Sequence, residues 1–464
     1  MIAPTDVPIN DTSYGVADVA YVAQFQANAA PAWLDHVALL SCIAPPKRSG
    51  GFSWCDLGCG RGVTAAVLAA THPDGNFWGV DVMPAHIDQA RQLASEAGAA
   101  NAQFLAADFA AADRAVGRFD YIVAHGVYSW VSEQAKQELR RFIDRHLAPG
   151  GLVYISYNAM PGWTNEPAFQ RALHSLGETL PGDSAMRFSA AFAIVRALAD
   201  AGAPALASSQ MLQNIAKNPA KYPAAYLAHE YMGSAWQPLW VTQVRDDMAS
   251  IGLTPAGSAA LCDNYDAFVL PQKAREMVAA IADDNRRELV RDMFINTWFR
   301  RDVFVRDGRP IDAAERRRAL LDRHFALTRP AASVEYNIAV PAGRFTFDNA
   351  AARAVVASLA SGPARLADVA KGSTIDAKDI LANALVLAAA GVARPVEPDA
   401  APVAALNRAI VRRLDGDHAI EIVALPCGTA LEVDRALIAS LHDGNGPDPT
   451  SFPGWREFLA AYGL

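Results

Sequence analysis

The stretch Asp56-Leu57-Gly58-Cys59-Gly60-Arg61-Gly62 lies between the apolar run Phe52-Ser53-Trp54-Cys55 and the run Val63-Thr64-Ala65-Ala66-Val67-Leu68-Ala69-Ala70. The first run reads as a buried strand ending at Leu57, and the second as the helix that follows it. Gly58, Gly60 and Gly62 let the chain turn sharply and bring bare backbone against a ligand. Phe77-Trp78-Gly79-Val80-Asp81 is the next strand, and its terminal carboxylate stands 19 residues after Gly62, where ribose hydroxyls are caught. A strand, a glycine turn, a helix and an acid at that spacing predict an α/β domain that holds a nucleoside.

Three features favour a methyl donor, S-adenosyl-L-methionine, over a dinucleotide. Asp56 can reach the donor's amino acid moiety but repels a pyrophosphate turned toward it. The glycines follow Gly-x-Gly-x-Gly rather than the Gly-x-Gly-x-x-Gly dinucleotide form. Downstream, the run Asn101 to Phe109 reads as a short strand ending in Asp108, an acid placed to meet the adenine amino group. The cofactor-binding set predicted from these motifs is Asp56, Gly58, Cys59, Gly60, Asp81, Val82, Ala107, Asp108, Phe109 and His125.

Four motifs together carry a family resemblance. They are Asp56 to Gly62; Gly79-Val80-Asp81-Val82-Met83-Pro84-Ala85-His86-Ile87; His125-Gly126-Val127-Tyr128-Ser129-Trp130-Val131; and Pro149 to Trp163. The chain resembles the class I methyltransferases that carry a methyltransferase regulatory domain, a group that includes the rickettsial protein lysine methyltransferases. The first two motifs mark class I methyltransferases in general, and the last two are more specific to this group. The resemblance is good over about residues 10 to 300 and loose beyond. It implies a doubly wound, Rossmann-like α/β sheet, S-adenosyl-L-methionine as cofactor, and tyrosines of the N-terminal segment, Tyr14 and Tyr21, lining the site. His229-Glu230-Tyr231 resembles a recurrent motif of the regulatory domain. The second aromatic-His-Glu motif of the family is replaced here by Leu239-Trp240-Val241-Thr242-Gln243.

Composition fits an enzyme with several cores. The chain has 464 residues, 52% of them hydrophobic, enough for two to four domains. A net charge of −8 argues against a general nucleic-acid binder. Cys42, Cys55, Cys59, Cys262 and Cys427 are scattered without a CxxC pair, which predicts reduced thiols in a cytoplasmic protein and no metal site. The start, Met1 to Asp6, lacks a basic and apolar leader. The longest apolar run, near Ile380 to Ala393, is shorter than the ~20 residues of a spanning helix and reads as a buried helix, so no membrane span is expected.

The predicted organisation has four parts. Residues 1–45 form an N-terminal cap segment with a helix over Pro31 to Ile43, Pro31 suiting its first position. Residues 46–165 form the methyltransferase domain, a right-handed parallel sheet with Phe119 to Ala124 as fourth strand and Gly151 to Tyr157 as fifth. Residues 166–330 read as a mostly helical regulatory domain, including an aromatic and arginine-rich helix from Asp292 to Arg306. Its arginines, Arg286, Arg287, Arg291, Arg300, Arg301 and Arg306, alternate with acids and read mainly as solvated faces. Residues 331–464 form a winged-helix-like C-terminal domain, with helices over 349–359, 364–370 and 377–389 and a strand over 391–396. Six basic residues cancel six acids between 340 and 400, so DNA recognition is not expected there. Dimerisation or acceptor binding is the expected role of this module.

Methyl transfer from a sulfonium is an in-line displacement, so the site must align donor and acceptor and leave the acceptor lone pair unprotonated. His125, Tyr128 and Tyr157 are the candidate catalytic groups; Tyr14, Tyr21, Trp130, Asn158 and His229 are the candidate substrate-binding groups. His125 either acts on the acceptor or merely ends its strand. Tyr128 and Trp130 stand two apart before a helix, so one faces the cleft while the other packs. Asn158 either binds substrate or steadies the turn before Pro161. The loop after the fourth strand lacks the Asn/Asp-Pro-Pro-Tyr sequence of enzymes acting on nucleobase or glutamine amide nitrogen. The leading acceptor is a protein side-chain amine such as lysine. The alternatives are a hydroxyl or amine of a glycan or small molecule, and a regulatory protein that binds the donor without turnover.

Overall fold

The computed structural model describes residues 14–16, 18–48, 50–398, 401–414, 419–442 and 446–464. Met1 to Asp6, where no leader is expected, the first part of the expected cap segment, and Asp399 of the tail's charge balance lie outside them.

Glycine, proline and apolar runs place the elements of the nucleotide-binding half. Strand β1 is Phe52–Leu57, β2 Gly75–Asp81, β3 Ala102–Ala106, β4 Phe119–Ala124 and β5 Leu147–Asn158. Helix α1 is Pro31–Leu40 and α2 is Val63–Thr71. Helix α3, Pro84–Ala97, opens on a proline whose missing N–H costs nothing there and closes on Gly98 in the left-handed region at φ 73°. Helix α4 is Phe109–Ala112, and α5, Glu133–His146, is capped by the Ser132 hydroxyl, which accepts from the Ala135 N–H at 3.2 Å.

The remainder of the chain returns to the same sheet. Strand β6, Leu253–Ser258, and β7, Phe299–Arg306, join it in the order β3-β2-β1-β4-β5-β7-β6. Strands β1 to β5 are parallel, whereas β7 runs antiparallel to both β5 and β6. The sheet is therefore mixed, not wholly parallel, and its cores draw on residues from both sides of the boundary expected at 165.

The helix expected over Asp292 to Arg306 is two elements. A helix, Asp284–Ile295, stops at Asn296, whose φ of 55° reverses the chain, and β7 follows. Both faces of β7 are buried, one of them by the pair Arg300 and Asp302, which removes the alternation that marks a half-exposed strand. Arg300 pairs with Asp292 at 2.7 Å and with Glu288 at 2.9 Å, and Arg291 with Glu288 at 2.8 Å. These two arginines are thus buried network members and not a solvated face.

Between β5 and β6 lies a helical insert with its own core. It contains α6 Pro167–Gly177, α7 Ser184–Asp200, α8 Gln210–Lys217, α9 Ala224–Tyr231 and α10 Val241–Ala249. Phe169, Leu173, Phe188, Val195, Leu227 and Tyr231 fill that core. In the tail, helices Ala350–Leu359, Leu366–Lys371 and Ala377–Ala389 accompany a three-stranded antiparallel sheet of Ala364–Arg365, His324–Leu327 and Ala393–Val396. The middle strand begins ahead of the boundary expected at 331. The tail core is continuous with that of the large sheet through α1, α2 and α3. Among the described residues, no helix is long and apolar enough to cross a membrane.

Candidate functional site

The carboxyl ends of β1, β2, β3 and β4 converge on one cavity, where a doubly wound sheet places its ligands. Its walls include Gly58 and Gly60 after β1, Asp81, Val82 and Met83 after β2, Ala107 and Phe109 after β3, and His125, Gly126 and Trp130 after β4. The enclosed part of the cavity measures about 140 Å³, and the rest of the cleft opens to solvent.

Two glycines explain the cradle. Gly58 has φ 82°, and a Cβ there would stand 2.4 Å from a methyl of Val127, so no side chain fits. Gly60 has φ 52° and open space where a Cβ would point. The Gly60 N–H donates to Asp81 Oδ2 at 2.9 Å, and the Met83 N–H to Oδ1 at 2.9 Å. Asp81 thus locks the glycine turn to the start of α3 while keeping lone pairs for a ligand.

His86 extends this lock. Its Nε2 accepts the Tyr21 N–H at 3.3 Å, which places the ring proton on Nδ1, donated to Asp81 Oδ1 at 3.3 Å. Tyr21 belongs to an N-terminal strap that crosses the cavity. Val19 carbonyl accepts from His229 Nε2 at 2.7 Å, the Tyr21 and His229 rings meet edge to face at 5.0 Å, and the Tyr14 hydroxyl donates to Glu138 at 2.7 Å. Tyr14, Tyr21, His229 and Glu230 complete the wall opposite the glycine cradle.

His125 lines the cavity with its Nδ1 beside the Tyr154 hydroxyl at 2.8 Å and Ser156 Oγ at 3.1 Å. Burial, and secondarily the charge of Arg301, lower its pKa to about 4, so the imidazole is neutral at physiological pH. Burial also lowers His229 below the ordinary histidine value. Asp56 is buried behind the cradle and is pushed up to about 8 by burial and by the charge of Asp81.

The structure brings together Gly58, Gly60, Asp81, Val82, Ala107, Phe109, His125, Trp130, Tyr14, Tyr21 and His229. Six expected residues stand outside the cavity wall. Tyr128 is fully buried and donates its hydroxyl to Asp247 at 2.7 Å; Tyr157, also fully buried, donates to Asp302 at 2.7 Å. Each hydroxyl donates to a carboxylate, and neither tyrosine belongs to the cavity lining, which speaks against a catalytic part for them. Asn158 is buried, and its backbone N–H donates to Ser129 Oγ at 2.9 Å. The Asp108 carboxylate caps α4 by accepting the Ala111 N–H at 2.6 Å. The Cys59 thiol packs toward β2, where a Cβ on Gly79 would stand 2.9 Å from it, and burial raises its pKa. Asp56 completes the six. Conversely, sequence reasoning passed over Met83, His86, Val127, Val131 and Glu230, although all five fall inside motifs quoted above.

The residues fit S-adenosyl-L-methionine. Backbone approaches at Gly58 and Gly60, a carboxylate stands at the end of β2, and Ala107 and Phe109 offer apolar surface to a ring.

Comparison with known proteins agrees with this geometry. Residues 55–151 match the family model of a methyltransferase domain, and residues 223–306 match that of a predicted methyltransferase regulatory domain. An uncharacterized protein of Synechocystis sp. is 31% identical over 371 residues, 80% of this chain and 73% of that one. A trans-aconitate 2-methyltransferase of Azoarcus sp. is 33% identical over 139 residues, 30% of this chain and 49% of the enzyme. Among solved structures, PKMT2 from Rickettsia typhi in complex with AdoHcy shares the fold, with a TM-score of 0.69 at 22% identity over 95% of this chain and 91% of that one. The chain belongs to the class I S-adenosyl-L-methionine-dependent methyltransferases that carry a methyltransferase regulatory domain.

Proposed function

We propose that this enzyme transfers the methyl group to a protein side-chain amine, lysine first among them. The observation that carries the reading is the composition of the wall facing the cradle. Tyr21, Trp130, His229 and Glu230 offer aromatic faces and a carboxylate to the acceptor end of the cavity, a lining suited to a cationic amine. The resemblance to the group containing the rickettsial lysine methyltransferases supports the same choice, as fold-level analogy only.

In this reading Gly58 and Gly60 carry the nucleoside and Asp81 accepts the ribose hydroxyls. Ala107 and Phe109 flank the adenine, and Asp56, once ionised, sets negative charge behind the donor's amino acid moiety. The neutral His125 and Trp130 then stand on the acceptor side. The chemistry is an in-line displacement, in which positioning supplies most of the acceleration.

The test is incubation of the purified enzyme with methyl-labelled S-adenosylmethionine and a lysate of its own host, with protein separated from small molecules. Label in protein that survives base hydrolysis and maps to lysine supports the reading. Label confined to small molecules or glycans overturns it in favour of a second reading, a small-molecule acceptor, which the similarity to trans-aconitate 2-methyltransferase favours. Asp81→Asn serves as the donor-site control. Each charge-assisted hydrogen bond lost costs about 1.5–3 kcal/mol, so donor affinity is expected to fall at least tenfold in calorimetry.

A further inference from the structure

Among the described residues lining the cavity, Asp81 and Glu230 are the two carboxylates. They are used differently. Asp81 accepts two backbone N–H groups and faces His86. Glu230 has no arginine, lysine or histidine within ion-pairing distance among the described residues, and its hydrogen-bond partner is the Tyr226 phenol. Its surroundings are Tyr21 from the strap and Tyr226, His229 and Tyr231 from its own helix α9. A carboxyl without a counter-ion that lines a cavity is held protonated by burial, and a cation brought beside it favours its ionised form.

Three other polar groups of the cavity lining are engaged. His229 Nε2 donates to the Val19 carbonyl, the Tyr14 hydroxyl donates to Glu138, and His125 is neutral with Nδ1 engaged. We infer that Glu230 is the catalytic residue that receives the protonated amine of the acceptor and takes its proton before the methyl group moves. The inference rests on the amine reading proposed above.

The steps balance. The ammonium R–NH3+ pairs with the Glu230 carboxylate and gives it one proton, leaving R–NH2 with a free lone pair. That lone pair forms the N–CH3 bond as the C–S bond breaks, its electron pair returning to sulfur to leave the neutral thioether. The methylated ammonium carries the positive charge away, and Glu230 returns its proton to water. Burial holds Glu230 up at about 8 against the hydrogen bond from Tyr226, so it stands near the working pH, where a general base is most useful. The acceptor amine, ordinarily near ~10.4, is brought down by the same desolvation.

Two measurements test it. With the enzyme saturated in S-adenosylhomocysteine at pH 7.5, n-hexylamine and n-hexanol are compared as ligands by calorimetry. Wild type is expected to favour the amine at least tenfold, and Glu230→Gln to lose that preference. In the lysate assay, wild-type amine labelling is expected to rise through pH 8. Glu230→Gln is expected to be roughly 10²- to 10⁴-fold slower at pH 7.5, the range of general-base catalysis, with the gap narrowing toward pH 10. Equal binding of amine and alcohol by wild type, or a Glu230→Gln enzyme that keeps the wild-type pH profile, overturns the role of Glu230 while labelled lysine leaves the amine reading standing. Absence of any labelled amine with wild type overturns the amine reading itself, and this inference with it.

Discussion

Asp56 shows what a buried carboxyl costs the folded chain. Its pKa, raised to about 8 by burial and then by Asp81, means that the folded protein holds a proton that the unfolded chain releases near its ordinary carboxylate value. The group's contribution to stability is therefore complete below about pH 4 and is lost as pH rises through about 8. Asp56→Asn is expected to melt progressively higher than wild type between pH 4 and 8, the difference levelling off above. Donor affinity should move the other way. Wild type gains up to about tenfold per pH unit between 6.5 and 8 as the carboxylate ionises toward a cationic ligand, whereas the variant stays weak and flat. Calorimetry at three pH values checks both. Tyr157 is the contrasting case. Tyr157→Phe leaves the buried Asp302 short of a donor, which costs about 1–3 kcal/mol of stability, while turnover is expected to change less than tenfold. A loss of activity with unchanged melting would return Tyr157 to the catalytic set. The glycine turn and Asp81 were legible because their geometry is local, made by residues within one strand-turn-helix unit. The roles of Tyr128 and Tyr157 were not, because each is decided by an acid more than a hundred residues away.

At the scale of elements, β1 and β4 fall on the runs read from hydrophobicity, and α3 is bracketed by its proline and glycine. Strand β7 was read as helix because Arg300 and Asp302 occupy buried positions that would ordinarily be apolar, the two paired with each other and Arg300 also with Asp292 and Glu288. No local pattern announces that pairing. A strand hydrogen-bonded on both edges admits no proline, since its ring removes a ladder donor. Val303 pairs with Tyr154 of β5 and Gly257 of β6. Val303→Pro is therefore expected to abolish the cooperative unfolding transition and donor binding together, although it lies far from the cradle. Circular dichroism and calorimetry on the variant decide this, and retained donor binding would argue against β7 as an integral strand.

For the whole molecule, the tail is joined to the sheet by a shared apolar core and by ion pairs, among them a largely buried cluster. Arg48 pairs with both Asp35 and Glu397, Arg323 pairs with Asp35 at 2.7 Å, and His72 stands 3.6 Å from Glu397. Burial works against the Glu397 charge, but His72 and Arg48 outweigh it and hold the carboxyl down at about 2. Because the folded value lies below the unfolded one, this stabilisation is present above about pH 4.5 and is lost as pH falls toward 2. Glu397→Gln is expected to cost about 3 to 5 kcal/mol at pH 7 and nearly nothing at pH 2, read from urea midpoints. The same long-range closure has a temporal side. Strand β5 is complete some 140 residues before its neighbour β7 emerges from the ribosome, an interval on the order of ten seconds at ordinary synthesis rates. For that time the nascent sheet presents an unpaired edge through Tyr154 and Ile155, and a chaperone or the growing helical insert must shield it until its antiparallel partner arrives.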